Sequence, residues 1–441
     1  MTEQQKYWNP EIETVPRKEL KELQWRKLRT QLLHVHENSP FYRQKFNKAG
    51  IDVTKIDNLE DFERYVPITS KDELRAEMER TGNPVPHLCV PWEKIYYISL
   101  GVGTTGSSTY QPMTKVDFEM IEQQVQRLFW QCGARPRMKV HFILPASMSA
   151  PYYSGIQKLG VIILQDGPDV RYIERIIEHG MRLKPEFMYM PLLFYSMIEA
   201  ELGERGTLPK DSLSYQVYIN FGDVFNERMR EHCEKVFGGR RYSIGGSGAD
   251  ISALCCECPE HNGQHFIIED MVMVEVIDLK TGRGVESGGR GELVFTDIAR
   301  EVAPHIRWRT EDLVDVTYEP CTCGRTSMRV RYVGRTTFKV QVKGEDIFPI
   351  SVEDIIREIP ETSTNEFTIL KYADNMDWLQ VRLGCPFDKV TEEIRGKVEA
   401  RLTENLGVPT KVEFCEPEEI PRVEHKIRRV TDLTNERSRG S

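Results

Sequence analysis

The stretch Ile98-Ser99-Leu100-Gly101-Val102-Gly103-Thr104-Thr105-Gly106-Ser107-Ser108-Thr109 constrains this chain more than any other. It follows an apolar run, Ile95-Tyr96-Tyr97-Ile98, and mixes glycines with hydroxyl side chains. Glycine lets backbone N–H groups come close to an anion, and Ser and Thr add hydroxyl donors. The stretch therefore reads as a cradle for phosphate. Two familiar phosphate-binding patterns overlap it by letter, and both fail. Gly101, Gly103 and Gly106 spell the dinucleotide fingerprint, which needs a helix opening inside the glycines. Here Ser107-Ser108-Thr109-Tyr110-Gln111-Pro112-Met113 follows, a β-prone run that carries a proline. The outer glycines also fit a P-loop, yet Ser107 stands where its lysine belongs. A strand–loop–strand hairpin remains, with an ordinary glycine turn as the alternative. The next helix is expected after Thr114, which makes a capping box with Asp117. Met120, Ile121, Val125, Leu128 and Phe129 then follow helical spacing.

A net charge of −9 over 441 residues argues against nonspecific nucleic-acid binding, so an anionic ligand must meet a local positive site. The polar N-terminus, Met1-Thr2-Glu3-Gln4-Gln5-Lys6, does not read as a signal peptide. The longest strongly apolar run, near Leu159 to Leu164, is too short to span a membrane, so no membrane partner is expected and a cytoplasmic location follows. Of ten cysteines, Cys255, Cys256, Cys258, Cys321 and Cys323 fall in two tight clusters. In a cytosolic protein that pattern points to metal before disulfide.

Residues 17–48 read as helical, with Leu20, Leu23, Leu28 and Leu32 recurring on one face. From about 90 to 300, short apolar runs (His141–Leu144, Val161–Leu164, Phe187–Met190) alternate with helical stretches such as Asp169–Met181. This alternation predicts an α/β architecture with largely parallel sheet. Residues 265–332 are richer in β-type runs and are expected to form a hairpin or small barrel-like section. After about residue 335 a compact β/α mixture begins, with helices expected near 351–358 and 388–405. The expected division is 1–333, a large multi-subdomain α/β unit, and 334–441, a small mobile α+β domain.

Five segments, in order, resemble the phenylacetate–coenzyme A ligase family of adenylate-forming enzymes. Asn38-Ser39-Pro40-Phe41-Tyr42 with Pro67-Ile68-Thr69-Ser70-Lys71 is similar to the family's opening. The Gly/Thr loop resembles its phosphate loop. His305-Ile306-Arg307-Trp308-Arg309-Thr310-Glu311-Asp312-Leu313 is similar to its Tyr/Arg-Thr-Gly-Asp-Leu segment. Gly334-Arg335 with Lys343-Gly344-Glu345 looks like its domain junction, and Ile420–Val430 resembles its C-terminal lysine segment. The resemblance implies a two-step reaction. A small carboxylic acid attacks the α-phosphate of ATP, giving acyl-AMP and pyrophosphate, and the thiol of coenzyme A then displaces AMP. It implies nucleotide binding by Ser99, Gly103, Thr104, Thr105, Gly106, Gly222, Asp223, Asp312 and Arg335. Asp312 suits the paired ribose hydroxyls, and the fork of Arg335 suits phosphate or ribose oxygens. Lys426 becomes the catalytic residue, placing positive charge where two anions must meet.

The chain also departs from the family. The family's aromatic-Gly-x-Ser/Thr-Glu segment, whose Glu helps hold Mg²⁺, reads Tyr242-Ser243-Ile244-Gly245-Gly246-Ser247-Gly248-Ala249-Asp250 here. The acid position falls on Gly248, leaving Asp250 as the candidate Mg²⁺ ligand. Ile244, Gly245 and Gly246, with Tyr152 and Tyr153, are expected to wall the acyl pocket, favouring an aromatic acid. Thr337 replaces the acidic hinge residue, and His425 replaces the glycine before Lys426. An adenylating enzyme with a carrier-protein thiol or amine acceptor, or a catalytically impaired homologue, stays open, as does the choice between monomer and homodimer.

Cys258, His265, Cys321 and Cys323 supply three thiolates and an imidazole, a closed tetrahedral set for structural Zn²⁺. Cys256 and His261 are the alternative ligands, and reduced cysteines without metal are the remaining alternative.

Overall fold

The computed structural model describes residues 5–102, 108–144, 146–221, 227–246, 254–285, 288–363, 365–387, 390–423 and 426–434. Two strands, β1 (Tyr97–Val102) and β2 (Ser108–Met113), form an antiparallel hairpin. Eleven more build one mixed sheet: β3 (Lys139–Ile143), β4 (Ile162–Asp166), β5 (Phe187–Pro191), β6 (Val217–Phe221), β7 (Arg240–Gly246), β8 (Leu254–Glu257), β9 (Gln264–His265), β10 (Val272–Ile277), β11 (Gly289–Asp297), β12 (Trp308–Thr317) and β13 (Arg329–Arg335). Its strand order is β10-β11-β12-β13-β9-β8-β7-β6-β5-β3-β4. From β4 to β7 the neighbours run parallel, and from β7 to β10 they run antiparallel.

The inner parallel strands β3, β5 and β6 are buried on both faces, as parallel strands require, while β4 forms a partly exposed edge. Successive side chains alternate between faces. Phe142, Tyr189 and Ile219 enter one core beneath the helix Lys115–Gln131. Ile143, Met188, Met190 and Tyr218 enter a second, against Ile176, Phe194, Ile198 and Phe237. The first helix starts where expected: Thr114 and Asp117 form a capping box, and Met120, Ile121, Val125, Leu128 and Phe129 face the core. The expected 17–48 helix breaks in two at Ser39, because Ser39 caps a new helix with Pro40 in its first turn.

Residues 265–332 do not form a separate barrel-like section. Gln264 and His265 pair with Val330 and Arg329 on one side and with Glu257 and Cys256 on the other. The hydrogen-bond ladder therefore passes from β7 through β8 and β9 into β13, and the antiparallel strands simply extend the parallel sheet.

Beyond Arg335 lies a second core, from Val340 to Phe414. It is wrapped by β14 (Val340–Val342), β15 (Glu345–Ile347), β16 (Phe367–Lys371), β17 (Asn375–Met376), β18 (Leu379–Gly384) and β19 (Thr410–Cys415), with helices Pro349–Glu358 and Glu392–Leu406. Two short strands, β20 (Arg422–Val423) and β21 (Lys426–Ile427), pair antiparallel, and β22 (Val430–Asp432) adds parallel to β16. No described helix is long and apolar enough to cross a membrane.

Candidate active site

The phosphate loop is carried by a two-faced hairpin. Ser99 lies opposite Gln111 and both are buried. Arg300 Nη2 donates to Gln111 Oε1 at 3.2 Å and to Pro112 O at 3.3 Å, fixing β2 to the large unit. Ile98 and Leu100 of β1, and Tyr96 just before it, point the other way and are exposed. Gly103, Thr104, Thr105 and Gly106 lie outside the described residues, as do Gly222, Asp223 and Asp250.

Asp312 and Arg335 come together across the β12–β13 ladder. They are direct register partners, with Arg335 Nε 3.2 Å from Asp312 Oδ1. Arg335 Nη2 donates to Thr310 O at 2.8 Å, and Asp312 N–H donates to Thr310 Oγ1 at 3.0 Å. One threonine thus orients both residues. The register shifts between Leu313 and Val314, a bulge of the kind that re-aims side chains beside sites. Glu311, where the family pattern has glycine, adopts φ +66°. Its carboxylate is 3.9 Å from Arg335.

The end of β7 approaches the same place. Ile244 is buried opposite Cys256 and joins the core under the helices. Gly245 is packed shut: an added Cβ would meet Tyr332 Cε2 at 2.2 Å, Gln264 Oε1 at 2.3 Å and Cys255 Sγ at 2.9 Å. Its missing side chain makes room for Tyr332 of β13 and for Gln264. Gly246 ends β7, and its surroundings lie outside the described side chains.

Tyr152 and Tyr153 belong to a cluster of six rings. Phe142 and Tyr189 stack with centroids 4.7 Å apart, and Tyr189 and Phe221 do the same. Phe129 packs on both Phe142 and Tyr189. Tyr153 sits 5.0 Å from Phe142, and Tyr152 sits 6.4 Å from Tyr189. Phe129, Phe142 and Tyr189 form a buried floor, while Tyr152, Tyr153 and Phe221 are half-buried above it. The cluster stands at the carboxyl ends of β5 and β6, where open α/β sheets receive ligands.

Sequence reasoning missed Tyr189 and Phe221, because apolar strand residues look alike until the register aligns them. It also missed Glu257, whose buried carboxylate accepts Ser243 N–H at 2.7 Å and Arg230 Nη2 at 2.5 Å. Burial alone would raise its pKa, but His261, Arg230 and Ser243 N–H outweigh burial and hold it below the usual glutamate value.

The four expected zinc ligands do meet. One donor atom from each of Cys258, His265, Cys321 and Cys323 lies within 4.8 Å of the others, and all four residues are buried. The donor set fits a soft cation: Cys323 Sγ lies 3.5 Å from His265 Nε2, and His265 Nδ1 pairs with Ser327 Oγ at 2.9 Å. The Cys323 thiol is drawn far down by its hydrogen bond with Cys258, and Cys258 is pushed up in turn. The alternative ligands are engaged elsewhere. Cys256 Sγ is 3.2 Å from Cys132 Sγ, and the His261 ring stacks on Tyr242.

Lys426 lies on β21, opposite Val423, at the edge of the small second unit.

A parallel sheet extended by antiparallel strands, an Asp–Arg pair across its far ladder and a small appended α+β unit together define an adenylate-forming enzyme. Residues 344–434 match the AMP-binding enzyme C-terminal domain family. The chain is 30% identical to a phenylacetate–coenzyme A ligase of Thermus thermophilus, covering 97% of this chain and 99% of that one. It is 28% identical to the corresponding ligase of Escherichia coli, over 96% and 97%. Its fold matches a 2-hydroxyisobutyryl-CoA ligase in the postadenylation state with TM-score 0.88 at 23% identity, over 100% and 96% of the two chains. The thioesterification state of that ligase matches at 0.71, with 25% identity over 99% and 96%. The chain belongs to the phenylacetate–coenzyme A ligase family, and it is an AMP-forming acid–thiol ligase.

Proposed function

We propose that the protein activates an aromatic carboxylic acid with ATP and transfers the acyl group to coenzyme A. The six-ring cluster at the ends of β5 and β6 carries the aromatic assignment, since half-buried Tyr152 and Tyr153 bring aromatic rings to the edge of a buried floor of Phe142 and Tyr189, a surface suited to a flat apolar group. Asp312 accepts the ribose hydroxyls, and Arg335, held by Thr310, gives its remaining N–H donors to the nucleotide. Ser99 and the hairpin loop, with Gly103, Thr104, Thr105 and Gly106, neutralise the departing pyrophosphate. Gly222 and Asp223 follow the last residue of β6 and border the adenine. Lys426 lies between the acid's carboxylate and the α-phosphate, relieving the repulsion of two anions as they react. ATP arrives with Mg²⁺, for which Asp250 is the proposed ligand.

The working division is 1–333 for the nucleotide and acyl sites and 334–441 for the domain that carries Lys426 and moves between steps. Cys258, His265, Cys321 and Cys323 hold a structural Zn²⁺, whose closed N/S set leaves no position for substrate. A cytoplasmic reaction supplied with ATP and coenzyme A is the working assignment, and the chain works as a monomer or homodimer.

Pyrophosphate release with ATP and a panel of aryl and short aliphatic acids tests the first step. Release with aryl acids supports the reading, and none with any acid overturns it. Mass spectrometry with coenzyme A added tests the second step: an acyl-CoA thioester is expected, and adenylate without thioester would point to another acceptor.

A further inference from the structure

The three residues after Lys426 end in an arginine that is buried in the second unit. Arg429 is 9% exposed and belongs to a closed ring of two arginines and two glutamates. Arg429 Nη1 lies 2.6 Å from Glu366 Oε2, and Arg429 Nη2 lies 3.2 Å from Glu353 Oε1. Arg357 Nη2 reaches the same two carboxylates, at 3.1 Å from Glu353 and 3.4 Å from Glu366. The guanidinium of Arg429 also lies 4.6 Å from the centroid of the Phe367 ring.

Such a ring is a costly way to stabilise a fold, because four charges lose water and apolar residues would pack as well. It does specify geometry. Arg429 offers a rigid planar fork that meets two carboxylates in fixed directions. Its backbone is held as well: Ile369 N–H donates to Arg429 O at 2.8 Å, and Val430 then pairs with Ile369. Just before it, Arg428 N–H donates to Pro421 O at 2.8 Å, closing the base of the β20–β21 pair on which Lys426 stands. The other end of the ring lies on the helix Pro349–Glu358. That helix starts beside the junction: Ile350 Cγ2 and Phe348 Cδ1 would lie 3.9 Å from a Cβ at Gly334, next to Arg335.

We infer that Arg429 is a positioning residue for Lys426: the Arg429–Glu366–Arg357–Glu353 ring fixes the base of the lysine-bearing strand pair to the helix that follows the domain junction. This rests on the proposed role of Lys426. Lys426 stands on a two-residue strand paired with β20 and closed at its base by the Arg428–Pro421 bond, so its placement depends on what anchors that base. Misplacement of a reacting group by about 1 Å costs on the order of 100-fold in rate.

The test uses the full-length chain and ATP–pyrophosphate exchange, driven by whichever panel acid releases pyrophosphate fastest. Arg429→Lys keeps the charge and loses the fork. It is expected to slow exchange on the order of 10- to 100-fold at saturating ATP and acid, with KM for ATP within about 2-fold. In a Lys426→Ala background the same change is expected to cost nothing further, because Arg429 acts only through Lys426. Glu366→Gln is the second variant, used alongside in case Arg429→Lys does not fold, and it should show the same dependence on Lys426. Equal slowing with and without Lys426, or slowing that follows only a fall in melting temperature, would overturn the inference while leaving the role of Lys426 intact. Unchanged exchange in Lys426→Ala alone would instead overturn the proposed role of Lys426.

Discussion

Asp312 and Arg335 face each other across adjacent antiparallel strands, and Thr310 orients both through its hydroxyl and its carbonyl. The pair joins the acid proposed to hold the ribose to the last residue of β13, beyond which the second core begins.

Asp312→Asn keeps the shape and removes the charge. Losing a charge-assisted hydrogen bond costs about 1.5–3 kcal/mol, so ATP affinity should fall about 10- to 100-fold. Isothermal titration with ATP measures it, and circular dichroism should show an unchanged fold. Affinity within twofold of the parent would remove Asp312 from the nucleotide site.

Much of this was legible before the structure, because the informative residues act locally. The capping box at Thr114 and Asp117, the loss of helix after Gly106 and the Cys/His spacing each depend on neighbours within a few positions. What stayed hidden depends on register. Tyr332 closing over Gly245, Tyr189 stacking on Phe221 and the ladder running from β9 into β13 join residues far apart in sequence. The hairpin expected within residues 265–332 is there as β10 and β11, but the barrel-like alternative failed for the same reason: β-type runs do not reveal which strand they pair with.

The Cys258–His265–Cys321–Cys323 cluster also reaches the N-terminal segment. Tyr7 Oη donates to Cys323 O at 3.0 Å, and Arg325 Nε donates to Glu13 Oε2 at 2.9 Å. Trp8 packs 5.2 Å from Trp130, whose Nε1 donates to Gln5 O. Chelation should therefore loosen residues 5–15 as well as the cluster. Metal held at a hundred times its dissociation constant adds about 2.7 kcal/mol of stability, which the apo protein should lose. Elemental analysis should find about one zinc per chain before chelation, since the four donors form one tetrahedral set. Tryptophan fluorescence and limited proteolysis should then report an exposed N-terminal segment. Full protection of that segment after complete metal loss would show that the two are uncoupled.

Glu311 pays for its place beside Asp312 with a left-handed backbone, φ +66°. A non-glycine residue there costs about 1–2 kcal/mol. Its ion contact with Arg335 is long, 3.9 Å, and both side chains are about one-third exposed, so it returns little. Glu311→Gly should therefore stabilise the protein by about 1 kcal/mol in urea denaturation. A lower midpoint would mean that the carboxylate does more than relieve its own strain.

His87 gives the fold a defined acid limit. Its ring is buried 4.9 Å from that of His305, and its Nδ1 has no hydrogen-bond partner among the described residues. Burial, then His305 and Arg300, hold its pKa well below the usual histidine value, while Asp297 pairs with His305 on the far side. A depressed histidine contributes stability above its unfolded pKa, near 6.5, and loses it as pH falls below that point. Each pH unit in that window should cost about 1.4 kcal/mol until His87 protonates in the native state. His87→Leu should show a shallower loss of stability between about pH 6.5 and 5 than the parent. Identical slopes in urea denaturation across that range would assign the acid sensitivity to other groups.

The ring cluster makes the final prediction about substrate choice. Phe221 ends β6 and lies flat against Tyr189, at the margin of the cluster proposed to receive the aryl group. An aromatic pair contributes about 0.5–1.5 kcal/mol beyond its buried area. Phe221→Leu keeps an apolar side chain of similar bulk and removes the ring. It should lower kcat/KM for aryl acids about 3- to 10-fold and leave that for short aliphatic acids within twofold. The comparison within one variant matters, because loss of packing on Tyr189 would depress both classes together. Equal losses for aryl and aliphatic acids would therefore separate a structural role for Phe221 from a role in holding the aromatic substrate.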